Sequence, residues 1–97
     1  MITLQDCIAL CGLSEAEVLA IAEHEHVPEV IAAGLGETLL KQHHGAEKVR
    51  HMIIDDIRAA QSRGDQKHVR ELLLCLKQFL DAHPEAVSSA DGPTRAA

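Results

Sequence analysis

Apolar residues recur at helical spacing along most of the chain, and this pattern predicts five helices. The first should cover residues 4–11, where Leu4, Cys7, Ile8 and Cys11 occupy positions i, i+3, i+4 and i+7 of one face. Runs of alternating β-branched residues and hairpin dipeptides, which are typical of strands, do not occur in the sequence. The sequence therefore predicts an all-α fold.

The second helix begins at the most specific local pattern in the chain. Ser14 and Glu17 match a capping box, and Leu13 with Val18 matches a hydrophobic staple. We expect this helix to end near residue 26, because the residue before Pro28 is disfavoured in helical geometry. Its buried face is predicted to comprise Val18, Leu19, Ile21 and Ala22.

The third helix should carry Pro28 in its first turn, where the missing N–H costs nothing. Its predicted buried residues are Val30, Ile31, Ala33, Leu35, Leu39 and Leu40. Gly34 and Gly36 would each cost the helix about 1 kcal/mol relative to Ala. We interpret them as a close helix–helix crossing, and the alternative is room for a ligand.

Two longer helices are predicted after the break at His43-His44-Gly45, over about residues 46–63 and 66–83. The buried face of the first should comprise Val49, Met52, Ile53, Ile57 and Ala60, and that of the second should comprise Val69, Leu72, Leu73, Leu76, Phe79 and Leu80. Gly64 should end the first, and Asp65 should cap the second. This two-residue joint predicts an antiparallel hairpin, packed by the three shorter helices in a small five-helix bundle. We expect one domain over residues 1–84. Residues 85–97 are small, polar and aperiodic, which predicts a disordered C-terminal tail.

Charge divides the chain into two unequal parts. The first 40 residues contain seven acids and no Lys or Arg, whereas residues 41–83 contain eight bases and six acids, and the net charge is −6. The acidic balance argues against nucleic-acid binding, which needs clustered bases. Because the three cysteines are an odd number and no apolar run reaches about 18 residues, we expect a cytoplasmic protein that does not enter membranes.

Residues 23–29 (EHEHVPE) are the best candidate for a functional surface. We predict a non-enzymatic interaction or regulatory module, in which Glu23, Glu25, His26 and Glu29 dock a protein with a basic surface. His24 and His26 would make that binding sensitive to pH. A second possibility is self-association, in which the acidic front of one copy meets the basic back of another.

A metal site is the alternative function for the same histidines. The candidate ligands of a divalent transition metal are His24, His26, His43, His44 and His51, with Glu29 as a further ligand. No ligand spacing in the chain matches a specific metal motif, so no cofactor is expected in the first interpretation. No nucleophile elbow or glycine-rich phosphate loop occurs, and we therefore do not expect an enzyme.

Overall fold

The structure, a computed structural model, describes residues 12–87. Within that range the chain forms four long helices: α1 (Glu15–Glu25), α2 (Glu29–Lys41), α3 (Gly45–Arg63) and α4 (Gln66–Ala82). Residues 12–87 contain no strand, and the all-α prediction is confirmed. The helix predicted over residues 4–11, which includes Cys7 and Cys11, lies outside the described residues.

The capping box predicted at the start of α1 is present in full. The backbone N–H of Glu17 donates to Ser14 Oγ at 3.2 Å, and the backbone N–H of Ser14 donates to Glu17 Oε1 at 2.9 Å. Leu13 and Val18, the predicted staple, are both buried in the core. The box therefore satisfies two helix-end donors and sets the direction in which the chain enters α1.

The connections between the helices follow the predicted boundaries closely. Pro28 lies one residue earlier than expected, as the N-cap of α2, and its carbonyl accepts from the N–H of Ala32. Gly64 ends α3 with a left-handed backbone (φ 74°), and Asp65 caps α4 by accepting from the N–H of His68 at 3.2 Å. These helix ends could be predicted because each depends on residues within one turn.

α3 and α4 pack against each other more extensively than any other pair of helices. Only Gly64 and Asp65 separate them along the chain. α1 packs against both α2 and α3, and it contacts α4 less extensively. Because of this arrangement, the C-terminal end of α1 lies close to both α3 and α4, and it is there that the candidate site forms.

The core of the described residues is aliphatic apart from the ring of Phe79 and the thiol of Cys75. Its largest fully buried side chains are Val18, Ile21, Val49, Ile53 and Phe79. Four of the five residues predicted to face inward from α3, Val49, Ile53, Ile57 and Ala60, are buried, and the fifth, Met52, is partly buried against the core. These buried residues recur every three or four positions, so the long helix presents one continuous apolar face to its neighbours.

Four apolar residues predicted to face the core are exposed instead. Leu19, Val30, Ile31 and Leu73 are 44%, 53%, 56% and 50% exposed, respectively. α2 buries Ala32, Ala33, Gly36 and Leu39, and the predicted residues Leu35 and Leu40 are partly buried against the core. The small residues of this face let α2 approach its neighbours closely, and Val30 and Ile31 are left at the surface.

The two glycines of α2 have different roles. A Cβ at Gly36 would collide with the side chain of Leu13 and would lie 3.1 Å from Ile21 Cδ1. Gly34 is exposed, and a Cβ there would meet nothing within 4 Å. The predicted close crossing therefore exists at Gly36, and it does not account for Gly34.

The described chain continues past the predicted domain end at residue 84. Residues 85–87 are helical, and Ala86 is fully buried because its methyl group joins the core. The remainder of the predicted disordered tail, residues 88–97, lies outside the described residues. None of the four long helices is both long and apolar enough to cross a bilayer.

Candidate functional site

The residues predicted to dock a partner divide between two surfaces. Glu25 and His26 are exposed where α1 ends, and Glu29 is half-buried where α2 begins. We call Glu25, His26, Glu29, Val30 and Ile31 the docking corner. His26 adopts a left-handed backbone (φ 58°), which turns the chain from α1 towards α2.

Glu23, the fourth predicted docking residue, faces a different set of side chains. Its Oε1 lies 2.7 Å from Nε2 of His68, which is 45 residues away on α4. The second ring nitrogen of His68, Nδ1, lies 3.1 Å from Oε1 of Glu71. A histidine donates from both ring nitrogens only when it is protonated, so this geometry suits an imidazolium shared by two carboxylates.

His24 repeats the same arrangement between α1 and α3. Its Nδ1 lies 2.7 Å from Oε2 of Glu25, and its Nε2 lies 3.0 Å from Oδ2 of Asp55. Burial opposes the charge on the ring, but the hydrogen bonds to Asp55 and Glu25 outweigh it and raise the pKa of His24. The pKa of His68 is likewise raised, mainly by its hydrogen bonds to Glu71 and Glu23.

Asp56 is the most deeply buried group of this region. It is 4% exposed, and its Oδ2 accepts no hydrogen bond from the described residues. Burial raises the pKa of Asp56 to about 7, and the nearby charge of Glu23 adds to the shift, while His24 and His68 oppose it. Asp56 therefore titrates near neutral pH, beside two histidines that hold α1 in place.

We name this set of side chains the α1 junction. Its members are Glu23, His24, Asp55, Asp56, His68 and Glu71. Two carboxylate–imidazole bridges join α1 to α3 and to α4 around a buried carboxyl group. The side chains of each bridge are partly exposed. Each bridge is an ion pair only when its histidine ring is protonated, so its strength depends on pH.

The five histidines predicted as metal ligands are placed in different surroundings. The rings of His43 and His44 are in contact, with centroids 3.8 Å apart and planes tilted by 59°, and Nδ1 of His44 lies 2.6 Å from Oε1 of Glu47. His26 and His51 are exposed, and His24 contacts Asp55 and Glu25. Residues 12–87 contain no group of three or more His, Cys, Asp or Glu side chains positioned to hold a metal ion.

Sequence reasoning did not identify Asp55, Asp56, His68 or Glu71 as neighbours of the EHEHVPE segment. His24 and Asp55 are 31 residues apart along the chain, and Glu23 and His68 are 45 apart. A local sequence pattern cannot reveal contacts between residues so far apart. One available sign was Asp56 itself, which lies between Ile53 and Ile57 on the inward side of a strongly periodic helix. An acid at such a position requires a polar environment inside the fold.

Comparison with protein-family models, with curated proteins and with solved structures finds no match to this chain.

Proposed function

We propose that the protein is a non-enzymatic interaction module of the cytoplasm that docks a basic protein surface through the docking corner. The observation that carries this proposal is the pair of exposed β-branched side chains, Val30 and Ile31, directly after Glu29. Apolar anchors bordered by charge are typical of protein–protein interfaces.

Charge along the chain supports a basic partner. The corner belongs to the 40 residues that contain no Lys or Arg. Within this segment, Glu25 contacts the ring of His24, which it shares with Asp55. Oppositely charged surfaces attract each other at long range and orient the encounter. The buried thiol of Cys75 and the odd number of cysteines suit a reducing compartment.

A comparison of two variants of equal charge tests the proposal. Glu25→Gln combined with Glu29→Gln removes two charges from the corner, and Glu37→Gln combined with Asp81→Asn removes two exposed charges elsewhere on α2 and α4. The untagged wild-type chain and both variants are immobilised, and bound cell proteins are eluted in steps of rising salt. We expect a basic protein that elutes with salt to be lost from the corner variant and retained by the control.

The proposal fails if wild type and both variants retain the same proteins, or if retention is independent of salt. Ile31→Gln separates the apolar contribution from the charged one. If the corner is an interface, Ile31→Gln should weaken binding of the same partner without changing how steeply its affinity falls with rising salt.

A further inference from the structure

α1 and α4 border an open groove of about 300 Å³. Two matched stripes line it, one from each helix, and each follows the spacing i, i+3, i+4, i+7. The stripe of α1 is Ala16, Leu19, Ala20 and Glu23, and that of α4 is His68, Glu71, Leu72 and Cys75. At this spacing each stripe is one continuous face of its helix, so the groove runs along both helix axes for about two turns.

The groove has a polar end and an apolar end because the two helices run in opposite directions. Glu23, near the end of α1, contacts His68 at the beginning of α4. At the other end, Glu17 at the start of α1 lies close enough to Cys75 to influence its ionisation. Of the described residues that line the groove, those with carboxylates lie at the first end, and those at the second end carry apolar side chains or the Cys75 thiol.

The floor of the apolar end is uncharged. Ala20, Leu72 and Cys75 are 1%, 4% and 3% exposed, and Leu19 forms a wall that is 44% exposed. Burial, together with Glu17 and Asp56, raises the pKa of Cys75 to about 12, so the thiol stays neutral at physiological pH. The small side chains of Ala16 and Ala20 leave room for a third helix at the usual axial separation of about 8–10 Å.

The polar end carries negative charge that the groove does not neutralise. Glu23 and Glu71 share the single ring of His68, so the three groups together remain negative even when the ring is protonated. Of the described residues, those that line the groove include no Lys or Arg. A cationic side chain entering here would balance the second carboxylate, which gives the groove a preference for a basic ligand.

We propose that this groove binds an amphipathic helix of a partner protein. Apolar side chains of that helix would contact Leu19 and Leu72, and a Lys or Arg would reach Glu23 and Glu71. Helices that dock in this manner present anchors at i, i+3, i+4 and i+7, the spacing of the two stripes themselves. Glu25 and Glu29 do not line the groove, so the inference does not depend on the docking corner.

The probe is a fluorescein-labelled Ala/Leu/Lys peptide of about 15 residues, long enough to form a helix in the bound state. It carries Leu at i, i+3, i+4 and i+7 and Lys beside that face, and a matched peptide has Glu at every Lys position. We expect the Lys peptide to bind more tightly than the Glu peptide, and its affinity to fall as salt rises. In methyl NMR spectra it should shift the signals of Leu19 and Leu72 and leave those of Val30 and Ile31 in place.

Variants locate the binding to the groove. Ala16→Leu places a bulky side chain in the groove from an exposed position, and we expect it to weaken binding by about tenfold or more. Leu19→Gln replaces an apolar side chain that borders the groove, and it should also weaken binding. Leu73→Gln changes an exposed leucine that does not line the groove, and it should bind like wild type. Far-UV circular dichroism confirms that each variant is folded.

Three results would overturn the inference: no binding of the Lys peptide, equal binding of the two peptides, or binding that Ala16→Leu and Leu19→Gln leave unchanged. Light scattering of the free protein tests a second copy as the occupant. A mass that rises with concentration in the wild type and not in Ala16→Leu would assign the groove to self-association and exclude the proposed partner helix.

Discussion

Two histidines, His26 and His44, adopt the left-handed backbone conformation, with φ values of 58° and 61°. This conformation costs an L-residue roughly 1–2 kcal/mol, and glycine adopts it without that cost. The two rings differ in their contacts. His44 lies 2.6 Å from Glu47, whereas His26 is exposed at the docking corner. A strained residue that makes little packing contact is the kind that function, rather than stability, retains.

Glycine at these two positions should have different effects on the stability of the fold. His26→Gly should raise the free energy of unfolding by about 0.5–1 kcal/mol, because relief of the left-handed strain exceeds the added entropy of the unfolded chain. His44→Gly should give no such gain, because it also removes the ion pair with Glu47. Urea denaturation monitored by circular dichroism measures both, and an equal gain in the two variants would show that the His44–Glu47 contact contributes nothing.

Individual residues at helix ends were largely predictable from the sequence. Ser14, Gly64 and Asp65 act as expected because a cap depends on a few neighbouring backbone groups. The left-handed histidines were not predicted. Gly is the residue that usually marks this conformation, and the sequence offers no comparable sign when His adopts it.

At the scale of elements, the crossing of α2 over Leu13 and Ile21 depends on one missing methyl group. Gly36 is buried against these two side chains, whereas Gly34, half a turn away, faces open space. The same residue type in one helix thus permits close packing at one position and only lowers helix propensity at the other.

We expect opposite effects from alanine at the two glycines. Gly36→Ala should lower the free energy of unfolding by about 1–3 kcal/mol, since a methyl group is forced into a filled space. Gly34→Ala should raise it by up to about 1 kcal/mol, the gain in helix propensity at an exposed position. Thermal and urea denaturation of the pair provide the measurement. If Gly36→Ala were as stable as Gly34→Ala, the crossing would be looser than the structure indicates.

The order and bounds of the four helices follow from the sequence, but the faces of the shorter ones do not. α3 is long and strongly periodic, so its inward residues could be read directly. In α2, apolar and small residues occupy almost every position, so periodicity alone does not show which of them face the core. Which residues of α2 are buried depends on its contacts with Leu13, Ile21 and other side chains. These contacts lie outside the helix, so its own sequence does not reveal them.

For the whole molecule, three groups of the α1 junction couple folding to proton uptake. The pKa of Asp56 is raised from 3.8 to about 7, and those of His24 and His68 are raised above 6.5. Each shift means that the folded state binds a proton more tightly than the unfolded state. The stability that Asp56 contributes is complete below pH 4 and is lost by about pH 7. That of the histidines is complete below pH 6.5 and is lost at higher pH.

We therefore expect the free energy of unfolding to fall between pH 5 and pH 8. Asp56→Asn, which removes the buried charge, should make this fall less steep and should raise stability at pH 8 by about 2 kcal/mol. Asp81→Asn, on the exposed side of α4, is the matched control and should leave the slope unchanged. Urea denaturation at several pH values measures the slope. An unchanged slope in Asp56→Asn would show that Asp56 is not the group that titrates.

The contacts that form the junction could not be predicted from one sequence. Residues 23–29 stand out in the sequence by their acids and histidines, but the partners of Glu23 and His24 come from α4 and α3. Their proximity depends on how α1 lies across the two long helices, and hence on the packing of the whole core.

Phe79 gives the molecule a single spectroscopic reporter. The chain has no Trp or Tyr, and the ring of Phe79 is fully buried, with its centroid 4.7 Å from that of His83. Any fine structure in the near-ultraviolet circular dichroism of the protein therefore reports the asymmetry around one side chain in the core. Loss of this signal while the far-ultraviolet spectrum persists would identify a state with intact helices and loosened packing. No label or substitution is needed to detect it.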